Sequence, residues 1–336
     1  MLLRSLLLFA IFALVACSPA PQERILNGQT MGTTYTVKIA QAELAVSVSQ
    51  LQEEVDDALI QVNQLMSTYI PNSELSRLNQ LDAQTPFPLS EQTLKVLQEA
   101  IRLGYLTDGV LDVTVGPLVN LWGFGPDKRP EKRPSAEQVK AIAKYVGLDK
   151  FTLSGNIITK AHDDLYIDLS TIAKGYGVDL IAEILEGYGI RNYLVEIGGE
   201  MRVAGTKLDG ADWRIAIERP VEGQRAVQRI ISIGDNAIAT SGDYRNYYEL
   251  DGIRYSHLID PRTGEPITHS VVSVTVVHAS SMTADGLATA LNVMGLEQAK
   301  ALAELESLPI LLVYKQDDEF KEYISPAFAQ QVTIIN

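Results

Sequence analysis

The sequence is short of cysteine and of positive charge. Its one cysteine, Cys17, lies next to an N-terminal leader, so the remainder of the chain has neither a disulfide nor thiol chemistry. Lys and Arg number 28 against 42 Asp and Glu, and the net charge of −14 argues against nucleic acid as a partner. The chain also has no internal repeat, no long low-complexity tract and no apolar run of membrane-spanning length.

The N terminus has the pattern of an export signal. A charged start at Arg4 precedes an apolar run that ends at Ala16, and residues 1–16 are therefore predicted to be a cleaved signal peptide. Leu14-Val-Ala-Cys17 resembles the bacterial lipobox, which predicts lipidation of Cys17; an ordinary signal with an incidental cysteine is the alternative. Residues 17–29 are predicted to be the lipidated cysteine and a polar tether. The prediction is an exported, lipid-anchored protein facing the periplasm; Ser18 favours the outer membrane, and the choice of membrane stays open.

Residues 30–336 are predicted to form one α+β domain, or two intimate lobes, with mixed, largely antiparallel sheets flanked by helices. Strands follow one another as often as they alternate with helices, which disfavours a doubly wound fold. Periodicity and capping residues predict helices at about 46–66, 90–106, 135–147, 173–185, 283–295 and 297–306. Strands are predicted at 33–39, 165–168, 194–197, 201–204, 213–217, 230–233, 247–250, 271–277, 309–314 and 330–335.

Thr283-Ala-Asp-Gly-Leu-Ala-Thr289 is the most informative segment. Asp285 and Thr289 are four residues apart, so they share one face of a helix. A carboxylate and a hydroxyl are hard oxygen donors, and the pair is a plausible partial shell for Mg²⁺, which leaves positions for phosphate and water. The alternative is that Thr283 or Asp285 caps a helix.

Three further segments carry candidate site residues. Asp168-Leu-Ser-Thr-Ile-Ala-Lys174 leads into a helix start, where free N–H groups, hydroxyls and a lysine favour phosphate binding; a capped helix is the alternative. The ordinary pKa of histidine is near neutral, so His257 could accept a proton as a general base. The alternative is a structural role, which is more common for a lone histidine. Asp112 lies among apolar residues and needs partners, which a ligand amine or backbone N–H groups can supply.

Together these segments resemble the ApbE family of flavin transferases. The resemblance also covers shorter motifs in the same order along the mature chain, namely Met31–Tyr35, Ser67–Tyr69, Ser73–Asn79, Asp112–Pro117, Asp168–Asp179, Glu196–Gly199, Ser241–Tyr244, Ser256–Gly264 and Ala284–Ala290. Eight such motifs in order, with Ser67–Tyr69 and Ser73–Asn79 counted as one, are highly specific. Leu111 stands where an aromatic residue is common in the family, a departure that leaves the polar positions unchanged.

The resemblance implies an exported, Mg²⁺-dependent FAD:protein FMN transferase. Such an enzyme moves FMN from FAD onto a Ser or Thr hydroxyl of an acceptor flavoprotein and releases AMP. The implied acceptors are subunits of sodium-pumping NADH:quinone oxidoreductase or of RNF-type complexes. An FAD pyrophosphatase that gives FMN and AMP, and a non-catalytic FAD-binding lipoprotein, are the alternatives.

The resemblance also implies the roles of individual residues. His257 would be catalytic, and Asp285, Thr289 and the backbone oxygen near Ala173 would hold the metal. The implied FAD-binding residues are Met31, Tyr69, Gly109, Val110, Leu111, Asp112, Asp168, Ser170, Thr171, Lys174 and Ile259.

Overall fold

The structure is a computed structural model that describes residues 22–125, 132–220, 226–242, 246–317 and 319–336. The predicted signal peptide and Cys17 lie outside these residues. In the described part of the chain, no helix has the length and apolar character needed to cross a membrane.

Strands and helices are interspersed along the described residues. The strands are β1 (Arg24–Thr30), β2 (Thr33–Ile39), β3 (Phe87–Pro88), β4 (Phe151–Ser154), β5 (Ile157–Lys160), β6 (Tyr193–Ile197), β7 (Glu200–Ala204), β8 (Ile215–Arg219), β9 (Ala226–Ser232), β10 (Ala237–Gly242), β11 (Tyr247–Leu250), β12 (Ile253–Ser256), β13 (Ile259–Asp260), β14 (Glu265–Pro266), β15 (Val271–His278), β16 (Ile310–Gln316), β17 (Glu319–Ile324) and β18 (Thr333–Ile334). The α-helices are α1 (Val48–Met66), α2 (Glu74–Gln80), α3 (Glu91–Leu106), α4 (Gly116–Leu121), α5 (Ala136–Ala143), α6 (Ala173–Gly187), α7 (Ser281–Met294), α8 (Leu296–Leu305) and α9 (Pro326–Gln331).

One large sheet organises the molecule. Its strand order is β1-β2-β6-β7-β10-β15-β16-β17, and neighbouring strands are antiparallel throughout. Two three-stranded sheets, β3-β5-β4 and β18-β9-β8, and two short hairpins complete the β structure. The predicted α+β class with largely antiparallel sheet is confirmed.

Both faces of the central sheet are covered. Val274 and Val276 of β15 belong to a core shared with α3 and α7, whereas Val277 belongs to a core shared with β8, β9 and α9. This explains why β15 is an almost continuous apolar run instead of an alternating one. Helix α7 lies between the sheet and α6, and it is buried over most of its surface.

Local sequence signals account for several helix starts, one buried helix face and one turn. Ser47 and Ser90 cap α1 and α3, and Ser135 forms a capping box at α5. The apolar face of α1, spaced at helical periodicity, is buried as expected. The turn Asp251-Gly252 joins β11 and β12.

Other local predictions are wrong. Strand β1 occupies Arg24–Thr30, so the tether cannot extend to residue 29, and the folded domain begins earlier than residue 30. Residues 165–168 do not join a sheet, because side-chain and loop groups take up their backbone hydrogen bonds. The predicted strand at 330–335 is reduced to Thr333–Ile334, because Ser325 caps α9 over Pro326–Gln331. The helix predicted to run to 147 ends at Ala143.

Candidate active site

A cavity of about 540 Å³ brings most of the predicted site residues together. Its volume is in the range of ordinary small-molecule pockets. The predicted residues that line it are Tyr69, Val110, Leu111, Asp112, Asp168, Ser170, Thr171, Lys174, His257, Ile259, Asp285 and Thr289. Gly109 and Ala173 are next to lining residues but are not among them, and Met31 lines a second, more open cleft together with Ile70.

The close crossing of α6 and α7 forms the floor of the cavity. A Cβ atom on Gly175 would lie only 2.3 Å from the backbone oxygen of Ser281, so this contact requires glycine. The Gly175 N–H donates to Asp285 Oδ2 at 3.0 Å. One turn further along α6, the Asp179 carboxylate accepts from the backbone N–H groups of Ser281 and Met282, each at 3.0 Å. These bonds satisfy free donors at the start of α7 and set its position relative to α6.

Asp285 is a buried carboxylate in the body of α7. It is 5 % exposed, and Ser280 is the residue that caps the helix, so Asp285 has no capping role. Burial raises the pKa of Asp285, while Lys174 and the Gly175 N–H oppose this rise. Asp285 and Thr289 both line the cavity from the same face of the helix, as their spacing predicts.

Glu200 is a site residue that the sequence analysis missed. Its Oε1 atom lies 2.6 Å from Lys174 Nζ, whereas the buried Oε2 atom has no hydrogen-bond partner in the described residues. Glu200 is 4 % exposed, and burial together with the nearby Asp285 raises its pKa to about 7. Burial disfavours the charge on Lys174, but Asp285 and Glu200 more than offset this and raise the pKa of the lysine. The signal in the sequence was Gly198-Gly199, which forms the turn between β6 and β7 immediately before Glu200 and lines the same cavity.

The charges at this floor suit a divalent cation. When ionised, Asp285 and Glu200 together carry one more charge than Lys174 neutralises, and Glu200 Oε2 is an unsatisfied hard oxygen. Thr289 adds a hydroxyl. No cluster of three His, Cys, Asp or Glu side chains with metal-site spacing occurs among the described residues. Carboxylate and hydroxyl oxygens are donors of the kind that Mg²⁺ binds, so Asp285, Glu200 and Thr289 fit such an ion.

His257 lies on the loop between β12 and β13. Its Nδ1 atom is 3.0 Å from the carbonyl oxygen of Asn246. Because a carbonyl oxygen only accepts hydrogen bonds, Nδ1 must carry the proton, and Nε2 is left as the basic atom. Burial lowers the pKa of His257, which favours the neutral form of the ring. The remaining histidines, His162, His269 and His278, do not line the cavity.

Asp112 and Asp168 stand at the side of the cavity. Asp112 Oδ1 accepts from the backbone N–H and the hydroxyl of Thr114, at 2.8 and 2.6 Å, and burial raises its pKa. Asp168 Oδ1 accepts from the Ser170 N–H at 2.8 Å, which shapes the turn before α6. Thr114 thus satisfies one oxygen of Asp112, and the residue also lines the cavity.

A family model for the ApbE family matches residues 31–312. The chain belongs to the ApbE family. A Vibrio cholerae protein named FAD:protein FMN transferase is 54% identical over 321 residues, which are 96% of each chain. A Haemophilus influenzae protein of the same name is 48% identical over 323 residues, or 94% of this chain and 93% of that one. The solved structure of the flavin transferase ApbE from Vibrio cholerae superposes with a TM-score of 0.86 at 54% identity, covering 92% of this chain and 99% of that one.

Proposed function

We propose that this ApbE-family protein is an FAD:protein FMN transferase that acts on a Ser or Thr hydroxyl of an acceptor protein. The observation that carries the proposal is that one cavity is lined both by an oxygen-rich floor and by a histidine whose lowered pKa favours its neutral form. The floor supplies Asp285, Thr289 and Glu200, and the histidine has a free basic Nε2 atom. The names of the relatives from Vibrio cholerae and Haemophilus influenzae point to the same activity.

Magnesium is proposed at the floor of the cavity. Asp285 and Thr289 would hold it, with the backbone oxygen of Ala173 at the first turn of α6, and Glu200 would add negative charge. The bound ion would neutralise the pyrophosphate of FAD and stabilise the leaving phosphate of AMP.

The chain's own residues would handle the substrate and the proton. The N-terminal turn of α6, with Ser170, Thr171 and Lys174 around it, is suited to bind the pyrophosphate. The acceptor oxygen would attack the phosphorus of the FMN half, forming a phosphoester bond. The bond from that phosphorus to the bridging oxygen would break, and AMP would leave with the oxygen. The hydroxyl proton would pass to Nε2 of His257.

The acceptor and the location are part of the same proposal. The acceptor would be a flavoprotein subunit of the sodium-pumping NADH:quinone oxidoreductase or RNF type, and FAD would be the second partner. The enzyme would be exported and attached to a membrane through a lipid on Cys17, facing the periplasm. The leader sequence supports this location.

The decisive experiment is the intact mass of a purified acceptor domain after incubation with this protein, FAD and Mg²⁺. We expect a mass gain of one FMN and an equal amount of AMP, and loss of both with a chelator or in Asp285→Ala. The chelator tests whether transfer requires a metal ion, and the variant tests whether Asp285 is a ligand of that ion. Full activity of Asp285→Ala would remove this residue from the metal shell.

Other outcomes separate the alternatives. Release of AMP and free FMN without a mass gain would indicate a pyrophosphatase, in which water replaces the acceptor hydroxyl. Binding of FAD that stays intact would indicate a flavin-binding lipoprotein.

A further inference from the structure

The segment that carries Asp168, Ser170 and Thr171 has no sheet to hold it, although its residues line the cavity. Its position therefore depends on contacts with other parts of the chain. Asn79, the last residue of the Ser73–Asn79 motif, makes one of these contacts and has no place in the chemistry described above.

The side chain of Asn79 forms hydrogen bonds with the backbone of this segment, and Asn79 itself does not line the cavity. Its amide nitrogen donates to the carbonyl oxygen of Ile167, and its amide oxygen accepts from the Ile167 N–H, both at 2.8 Å. A side-chain amide that bonds both groups of one residue replaces the pairing that a neighbouring strand would provide. On the cavity side, the next residue, Asp168, donates its N–H to the carbonyl oxygen of Val113 at 2.7 Å.

Lys160 completes the attachment. This lysine is 1 % exposed, and its ammonium donates to the backbone oxygens of Asn79, Asp163 and Leu165, at 2.9, 2.9 and 3.3 Å. The lysine thus joins the end of α2 to both ends of the turn that precedes Ile167. These three hydrogen bonds supply acceptors for an ammonium group that is buried away from water.

We infer that Asn79 and Lys160 are positioning residues for the FAD-binding segment 168–171. Neither residue lines the cavity, so neither touches the substrate. They act through Ile167 and Leu165, which set where the Asp168 carboxylate and the turn before α6 lie. The inference adds two positioning residues to the proposed function, and it rests on that function for the identification of FAD as the bound molecule.

The test compares Asn79→Ala with Asn156→Ala. Asn156 is a matched control, because its side-chain amide also bonds a backbone oxygen, that of Leu89 at 3.1 Å, and it does not line the cavity. We expect Asn79→Ala to raise the Kd for FAD, measured by titration of flavin fluorescence, about tenfold, while kcat at saturating FAD stays within about twofold. Asn156→Ala should leave both values unchanged.

Amide hydrogen exchange provides a readout that needs no ligand. In Asn79→Ala the amides of Asp168 and Ser170, which do not bond Asn79, should lose protection, and in Asn156→Ala they should keep it. Lys160→Met should give the same pattern if it folds.

Unchanged FAD affinity and unchanged exchange in Asn79→Ala would overturn the inference. Equal effects of the two Ala variants on FAD affinity would do the same, since they would indicate a purely structural role. A wild-type protein that does not bind FAD would refute the proposed function and leave the exchange comparison to decide the positioning role.

Discussion

The protonation state of His257 is the residue-scale feature with the most direct kinetic consequence. Burial lowers its pKa, so the neutral, proton-accepting form persists below the usual range of histidine and is lost only as the pH falls through the lowered value. We predict that the acidic limb of kcat against pH, set by this group, has its midpoint below 6.5. A midpoint above 6.5 would contradict this.

Removal of the same side chain separates binding from chemistry. His257→Ala should lower FMN transfer about 10²- to 10⁴-fold, the usual contribution of a general base, with near-normal affinity for FAD. Single-turnover transfer and a fluorescence titration of FAD measure the two effects. Loss of FAD binding, or of the fold, would exclude the role of base.

Glu200 is the residue whose substitution best tests the charge balance at the cavity floor. Glu200→Gln keeps the shape of the side chain but removes a negative charge next to Asp285 and Lys174. We expect Mg²⁺ to bind about 10- to 100-fold more weakly by calorimetry, the effect seen when groups around a metal site are altered. Glu186→Gln is the control, because Glu186 pairs with Arg202 and does not line the cavity. Equal Mg²⁺ affinities in the two variants would exclude Glu200 from the site.

At the scale of elements, the contact between α6 and α7 controls the site. Gly175→Ala would place a methyl group against the backbone of α7, which cannot move without shifting Asp285. We predict a loss of about 1–3 kcal/mol in the free energy of unfolding, as for other overpacked contacts, and weaker Mg²⁺ binding.

Gly187, at the other end of the same helix, offers a control. A Cβ atom there would meet nothing within 4 Å, so Gly187→Ala should stabilise the protein by about 0.4–1 kcal/mol. Urea denaturation of both variants checks the prediction. A Gly175→Ala variant as stable as the wild type would show that the two helices can separate at no cost.

A comparison of predicted and observed elements shows which helices and strands the local sequence specifies. Helices α1, α3 and α6 were predicted almost to their ends, because each has an apolar face with regular spacing or clear end signals. Strand β10 was missed: it is short, and Thr240 and Ser241 give it a polar character that comes from lining the cavity. Segment 165–168 looks like a strand locally, but Asn79 and Val113, distant in sequence, determine its hydrogen bonds.

In the site, too, features within one element were predictable from the sequence, whereas contacts between separate elements were not. Asp285 and Thr289 were predicted from helical spacing, because both lie on one helix. The Glu200–Lys174 pair joins β7 to α6, and no local pattern reveals a contact between separate elements. The partner of His257, Asn246, was missed for the same reason.

At the scale of the whole molecule, the N-terminal strand is part of the fold and not of the leader. Strand β1 pairs with β2 along its whole length, and it buries Leu26. A chain that starts at Glu23 should keep the full free energy of unfolding. A chain that starts at Met31 should lose more than about 2 kcal/mol, since burial of one leucine alone contributes about that much. Urea denaturation distinguishes the two chains, and equal midpoints would contradict the prediction.

The start of β1 at Arg24 would also limit where a lipid-anchored form of this enzyme can work. Six residues lie between Cys17 and Arg24, and seven residue steps of fully extended chain span at most about 25 Å. A lipid on Cys17 would confine the enzyme to a thin layer over the bilayer, where encounters with membrane-bound acceptors are two-dimensional and the effective concentration is high. The height of the acceptor hydroxyl above the lipid surface would then help to decide which proteins are substrates.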